Sequence, residues 1–530
     1  MRYWKSHPRL GKSVVALLVA CAASGAGIAE RERPAAAVGD PNATPDFNGD
    51  GIAELVVTAE LEDVGTKQNA GAIWVMRANS TYGIGPASMW HQDSAGMPGI
   101  AGANDRFGTA WAAGDFDGDG FDDLAVGSRD NGQATNGGDV TVMYGSPSGL
   151  TTVDVQLFMQ SQPGVPDDAD NGDLFGASLA AGDFNGDSRD DLAIGSPREG
   201  FNAMSSIGAV FIVPGTPTGL SSSGIVMSTQ GTNGIPGVSE AGDWFGYALT
   251  TGDFENDGYD DLAIGAPYED TSAGIDTGAV TVVRGSALGL GGVGARVMWP
   301  GRTGGFSGSV SPGARFGHDL DVGEFSGNLR DDLVVCAPHQ NVGAATRAGA
   351  VWVAPGSTSG ITGAGSVRIT ENSPSEVPSR IKSNDEFCLW GMATGNLGTV
   401  GQDVLAVSIA QDVGSWQASG GLKVFRDNGP GILNGASTSY GEGEDFGISN
   451  YGEFDGAGFG ANPQFVDLKG LAVDNLAFSV PRNAGRMLVM KRLHASSFDV
   501  LDDFVDWDQN DTGVPGEGEA GDAWGYLPVS

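Results

Sequence analysis

Residues 115–127, DFDGDGFDDLAVG, decide how the rest of the chain is read, because near-copies of them recur at almost fixed spacing from one end to the other. The first half has the form of a cation loop. Asp115, Asp117 and Asp119 stand at loop positions 1, 3 and 5, Gly120 allows a sharp turn at 6, Phe121 offers a backbone carbonyl at 7 and Asp123 closes at 9. Hard oxygen ligands at alternate positions suit Ca²⁺, which accepts about 6–8 oxygens in a flexible geometry. The second half is a strand. An EF-hand needs a Glu at position 12 and a following helix, whereas Val126 stands there and Leu124 to Gly127 are a short apolar run. The stretch therefore predicts a metal loop between two strands.

Copies follow from Asp46 (DFNGDGIAEL), Asp183 (DFNGDSRDDL) and Asp253 (DFENDGYDDL), with a weaker one from Glu324 (EFSGNLRDDL) and eroded ones at Asn396 and Glu453. Together with the loop from Asp115 they make seven. Upstream lies a Phe-Gly after an acidic turn, at Phe107, Phe175, Phe245, Phe316 and Phe446, disturbed at Phe387 where Cys388 replaces the Gly. Downstream, GSP at Gly195, GAP at Gly265 and CAP at Cys336 close the next strand. A third strand opens with Gly (GAIWV at Gly71, GAVFI at Gly208, GAVWV at Gly349), and turn signals such as GSPSGL at Gly145 lead to a fourth. Each period of roughly 70 residues is thus a four-stranded meander that cannot bury both its faces alone. Radial stacking of such blades is the β-propeller solution. The expectation is an all-β, seven-bladed β-propeller of four-stranded antiparallel blades. Phe fills the space between sheets and Gly and Ala permit close approach, so both landmarks are assigned to packing.

Composition agrees. The 87 glycines point to short strands and tight turns. A net charge of -38, from 28 Lys+Arg against 66 Asp+Glu, excludes nucleic acid and anionic membranes as expected partners, since both need basic patches. Residues 1–29 have a basic n-region (Arg2, Lys5, Arg9, Lys12), an apolar run from Val14 to Ala20 too short to span a bilayer, and small residues after it, which predicts an export signal. Two processing routes stay open. Leu18-Val19-Ala20-Cys21 is similar to a bacterial lipobox, which would leave a lipid anchor at Cys21, and ordinary cleavage after Ala29 would release a soluble protein. Residues 30–45 read as an Ala/Pro-rich linker and 46–530 as the propeller. The mature chain is expected to be monomeric, without a transmembrane helix, and secreted or held at the cell surface or outer membrane.

The ordered landmarks resemble the FG-GAP repeat, the unit of the seven-bladed propeller at the N-terminus of integrin α subunits, also found in exported bacterial proteins. The resemblance covers about residues 45–530 and is most specific over 46–338. It implies Ca²⁺ in the Asp-rich loops of the lower face, about four ions in all, and ligand binding by loops of the upper face. Carried onto this sequence, the ligand sets are Asp115, Asp117, Asp119, the Phe121 carbonyl and Asp123; Asp183, Asn185, Asp187, the Arg189 carbonyl and Asp191; Asp253, Glu255, Asp257, the Tyr259 carbonyl and Asp261; and Asp46, Asn48, Asp50, the Ile52 carbonyl and Glu54. Glu255 at position 3 and Glu54 at position 9 depart from the pattern. No metal is expected at Glu324, Asn396 or Glu453. Successive Phe-Gly landmarks from Phe107 to Phe387 lie 68 to 71 residues apart, which leaves no room for an inserted domain, and pairing with an integrin β subunit is not carried over.

For Cys336 and Cys388 two alternatives stand: a pair of buried free thiols, or a disulfide, since each replaces a landmark Gly on what the family makes the same face of consecutive blades. The unmatched landmarks at the two ends predict that 524–529 (Trp524 onward) supply strand one of the first blade and close the ring. The function expected is a calcium-stabilised extracellular recognition or adhesion module for a protein or glycan. The alternative is an enzyme, a hydrolase or lyase, on a propeller scaffold acting on glycans or other extracellular polymers. The five histidines, at 7, 91, 318, 339 and 494, show no catalytic spacing, and no GxSxG is present, so no catalytic residue is assigned.

Overall fold

The apolar runs that follow each Asp-rich loop are wholly buried strands, as their lack of polar alternation requires: Asp123–Ser128, Asp191–Ser196, Asp261–Ala266 and Asp332–Ala337 have every residue out of solvent. They belong to a computed structural model that describes residues 45–79, 83–129, 137–201, 204–371, 373, 381–396, 403–410, 421–426 and 433, with the further strands Ser437–Gly441, Ala461–Val466, Asn475–Val480, Arg486–Met490 and Phe504–Trp507. The expected export signal at 1–29, most of the expected linker, Phe446, the Glu453 loop and the expected closing strand at Trp524 lie outside the described residues.

Strands pair only with their sequence neighbours, always antiparallel, which gives six four-stranded sheets and one of three strands among the described residues. The fold is thus an all-β propeller. Seven complete blades were expected and six are complete here. The first sheet, Glu54–Ala59, Ala72–Asn79 and Gly83–Trp90, begins among the described residues at what is strand two of every other blade. Blades two to five span 107–158, 178–228, 249–298 and 320–369. Their first strands touch one another in chain order, Phe107–Gly114 against Ser178–Gly182, then Leu249–Gly252, Leu320–Gly323 and Phe387–Asn396, so these strands are the inner ones.

Phe-Gly and DF each deliver one large ring to the space between sheets. Phe107, Phe175, Phe245, Phe316 and Phe387 are buried, and so are Phe47, Phe116, Phe184, Phe254 and Phe325. At roughly 1.5–3 kcal/mol for each buried large side chain, this double row of rings is the main apolar cement between blades. One detail differs from expectation. In blades three to five the Phe-Gly precedes the inner strand instead of opening it, although Gly176, Gly246 and Gly317, at φ of 84°, 84° and 86°, share the left-handed backbone of Gly108 (φ 91°), which blade two takes into its strand across a register shift.

The landmark glycines meet across blades. A Cβ on Gly127, Gly195 or Gly265 would run into the backbone oxygen of Gly176, Gly246 or Gly317 of the next blade. At the equivalent crossing between blades five and six stand Cys336 and Cys388, joined by a disulfide with Cα atoms 6.0 Å apart. Of the two alternatives left open by the sequence, the structure has the pair. Cys388 keeps the glycine-like backbone of its position, φ 72°.

Candidate metal loops and the face they build

In a meander the connections between strands one and two and between strands three and four lie at the same end. The Asp-rich loop and the GxxxG turn of each blade therefore share the lower face. The loop at Asp115 shows how acids order it. Asp115 accepts the N–H groups of Gly118 (2.8 Å), Asp119 (3.0 Å) and Gly120 (2.9 Å), while Asp117 and Asp119 each accept the N–H two residues on. These are Asx turns that wind the backbone around its own carboxylates. Asp123 reaches back from the first residue of strand two, taking the Phe116 N–H at 2.9 Å and the Gly145 N–H of the GxxxG turn at 2.8 Å. Oxygens of Asp115, Asp117 and Asp123 lie within 4.8 Å of one another. Burial, and then the neighbouring acids, push Asp123 up to about 8 and raise Asp117. Like charges gathered this closely favour either a proton or a cation, so the donor set fits a hard divalent ion.

The other predicted loops repeat the winding with variations. Asp183 accepts Gly186, Asp187 and Ser188 N–H, Asp187 accepts Arg189 N–H, and Asp191 takes Gly215 N–H and the Asn185 amide. Ser188 stands in for the turn Gly at φ 65°. The Arg189 side chain pairs with Asp187 at 2.8 Å, on the exposed rim. Asp46 accepts Asp50 and Gly51 N–H, Asp50 accepts Ile52 N–H, and Glu54 holds Phe47 N–H and the Asn48 amide. Arg77 lies 3.8 Å from Glu54. In the fourth loop Asp253 and Asp257 wind the turn to Tyr259 as before, but Glu255 is drawn to Arg284 at 2.5 Å. Asp261 keeps only the Gly285 N–H there, its second oxygen being unbonded, and burial with Glu255 alongside raises it strongly.

Sequence reading missed the acid at position 8. Asp122, Asp190, Asp260 and Asp331 each accept the N–H of the first loop residue of the preceding blade, Asp46, Asp115, Asp183 and Asp253, at 2.7–2.9 Å. Asp403 does the same for Glu324 at 2.7 Å, although Asn396 pairs with it as the end of a strand ladder and forms no loop position. The doubled Asp of FDDL, RDDL and YDDL was the available signal: one acid closes its own loop, the other latches the blade before it.

The upper face holds few groups poised for chemistry among the described residues. His318 and His339 are buried, one against the Tyr247 hydroxyl (3.2 Å), the other against Arg347 (2.9 Å) beside Glu386. Tyr268 packs on Trp244 with centroids 4.9 Å apart, and Arg198 and Arg315 stack on the two rings. Glu269 accepts the Gln230 amide and Asp270 the Asp276 N–H. No helix among the described residues is long and apolar enough to cross a membrane.

Comparison with known proteins matches this geometry. The FG-GAP repeat pattern fits residues 42–76, 107–143, 175–213 and 245–283, the four segments that contain the four predicted loops. Phosphatidylinositol-glycan-specific phospholipase D of Rattus norvegicus is 34% identical over 169 residues, 31% of this chain and 19% of that protein. Integrin alpha-PS2 of Drosophila melanogaster is 31% identical over 188 residues, 34% of this chain and 12% of that protein. The chain thus spans under a fifth of the length of these relatives. The Dos1 propeller aligns over 87% of the chain and 81% of its own with a TM-score of 0.39 and 9% identity. The chain carries four FG-GAP repeats set in a β-propeller, and over them it is homologous to the N-terminal propellers of integrin α subunits.

Proposed function

We propose that this protein is a calcium-stabilised recognition module that works outside the cell, with loops of the upper face binding a protein or a glycan. The observation that carries the metal part is the convergence of Asp115, Asp117 and Asp123 within 4.8 Å around a backbone already wound for an ion. The homology to integrin α propellers supports the recognition part. Ca²⁺ is the cofactor of this reading, bound by the loops from Asp46, Asp115, Asp183 and Asp253 to the extent that each has room for it. Export by the signal at 1–29, with either a lipid anchor at Cys21 or release, belongs to the same proposal. So does completion of a seventh blade by 524–529, which would remove an open sheet edge.

Melting curves in CaCl2 and in EDTA, with elemental analysis, test the metal. An unchanged curve and no bound calcium would end it. Glycan and protein arrays probed with the purified chain, with and without chelator, test recognition. Deleting residues from Gly521 onward should lower the melting temperature and promote aggregation, and a stable monomeric truncation would show another closure.

A second reading is supported by the likeness to the phospholipase D. The chain would then be an enzyme, or the propeller partner of one, acting on a glycan-bearing substrate. Hydrolysis of such a substrate by the purified chain would favour it over the recognition module.

A further inference from the structure

The residue facing the position-9 acid across the sheet stands near the end of strand three or just past it. Glu54 pairs in register with Arg77. One step beyond the pairs Leu124–Met143, Leu192–Val213, Leu262–Val283 and Leu333–Ala354, the acids Asp123, Asp191, Asp261 and Asp332 face Tyr144, Pro214, Arg284 and Pro355. This residue fills one niche in several blades. Arg77 and Tyr144 run beneath the GxxxG turn of the following blade, where Gly149 and Gly219 leave them the space of a side chain, and at Gly360 that space holds the Glu255 carboxylate with Arg284 beside it. Arg77 donates there to the Ser148 carbonyl, and the Tyr144 hydroxyl accepts the Leu220 N–H.

The two loops with an arginine in this niche are the two whose ligand set departs from the pattern by a longer acid. Glu54 and Glu255 each have one methylene more than Asp, and each turns its carboxylate toward the guanidinium: Glu255 at 2.5 Å from Arg284, Glu54 at 3.8 Å from Arg77. Both acids are buried, 7% and 2% exposed at the side chain. In the second and third loops the niche holds Tyr144 and Pro214, which bring no charge, and the acids there are short.

We propose that Arg77 and Arg284 are resident cations that take the place of a metal ion in blades one and four, so that calcium is confined to the loops starting at Asp115 and Asp183. A fixed guanidinium lowers the negative potential that would draw Ca²⁺, and it claims one of the oxygens that the ion needs for its coordination of about 6–8. The guanidiniums are themselves 32% (Arg284) and 47% (Arg77) exposed, and what holds each is its buried partner acid, which would lose its counter-charge on their eviction. Arg189 in the third loop differs. Its partner Asp187 is 37% exposed, so solvent screens the pair and an ion can displace it.

The inference rests on the reading that calcium binds this protein at all, and the test separates the two. Calcium is counted on the full chain by equilibrium dialysis and elemental analysis, for the wild type and for Asp50→Asn, Asp117→Asn, Asp187→Asn and Asp257→Asn, at exposed loop positions except for the half-buried Asp117. The wild type should hold no more than two ions. Asp117→Asn and Asp187→Asn should be the changes that lose one, and Asp50→Asn and Asp257→Asn should leave the count as it was. Arg284→Gln should gain one ion, lost again when combined with Asp257→Asn. A wild-type count of three or four, loss of an ion in Asp50→Asn or Asp257→Asn, or no gain in Arg284→Gln overturns the inference. A count of zero overturns the calcium reading itself.

Discussion

The loops at Asp115 and Asp253 share the spelling DF-x-x-DG-x-DDL, and they differ in what stands across the sheet. Opposite Asp123 is Tyr144, neutral, and Asp123 spends both oxygens on backbone N–H groups, 2.9 and 2.8 Å away, that fix the loop against its blade. Opposite Asp261 is Arg284, which pulls Glu255 inward, and Asp261 is left with one bond and one bare oxygen. A ligand pattern lists the oxygens that could face an ion. Whether they do depends on a residue that lies some 20 positions further on in sequence and one strand away in space.

This comparison assumes that each loop answers to its own neighbourhood and not to the strength of the ring as a whole. Breaking the Cys336–Cys388 bond tests that assumption with the largest effect expected here. The bond closes a separation of 52 residues, for which loop-closure entropy gives about 4 kcal/mol, and denaturant unfolding of the Cys336→Ser/Cys388→Ser variant should show a loss of that order. The calcium count should not change, and a changed count would mean the loops sense the ring.

Next in size, Asp123→Ala should cost about 2–4 kcal/mol, because the Gly145 N–H loses its acceptor at roughly 1–3 kcal/mol and the Phe116 N–H, left with the Gly114 carbonyl at 3.1 Å, loses about 1 kcal/mol more. Asp261→Ala should cost about half as much, with one N–H orphaned. Equal losses would erase the contrast between the loops.

Calcium comes third. At a hundred times its Kd an ion bound only to the native state adds about 2.7 kcal/mol. The rise in melting temperature should vanish more completely in Asp117→Asn than in Asp257→Asn.

The pH dependence has a definite sign. Burial holds Asp123 near 8 in the folded chain against 3.8 as its ordinary value, so the apo native state binds the extra proton between those limits. Stability in EDTA should therefore fall as pH rises through that window, and Ca²⁺, which competes with the proton, should stabilise more at pH 8 than at pH 5. Asp123→Asn should flatten both trends in thermal melts.

The smallest effect concerns the latches. Asp190→Ala frees the Asp115 N–H from its acceptor at 2.9 Å and should cost about 1 kcal/mol, with a drop in calcium affinity at the Asp115 loop and none at Asp253.

The sequence by itself determined the repeat, its four-strand period, the packing role of Phe-Gly and the place of the Asp-rich loops between strands. All of these are local: they follow from which residues alternate, where glycine permits a turn, and which acids stand at alternate positions. The tertiary structure decided the rest, because it depends on pairs far apart in sequence. The partners of Asp122, Asp190, Asp260 and Asp331 lie 75 to 78 residues back, in the neighbouring blade. Cys336 and Cys388 pair because they stand at the crossing that brings Gly127, Gly195 and Gly265 onto Gly176, Gly246 and Gly317 in the three preceding blade junctions. Nothing in the spelling around Arg77 and Arg284 marks a role for them: the register sets Arg77 against Glu54 and Arg284 against Asp261, and packing then brings Arg284 onto Glu255. A period of about 70 residues says that neighbours repeat, and only the stacked sheets say which atoms of one period meet which atoms of the next.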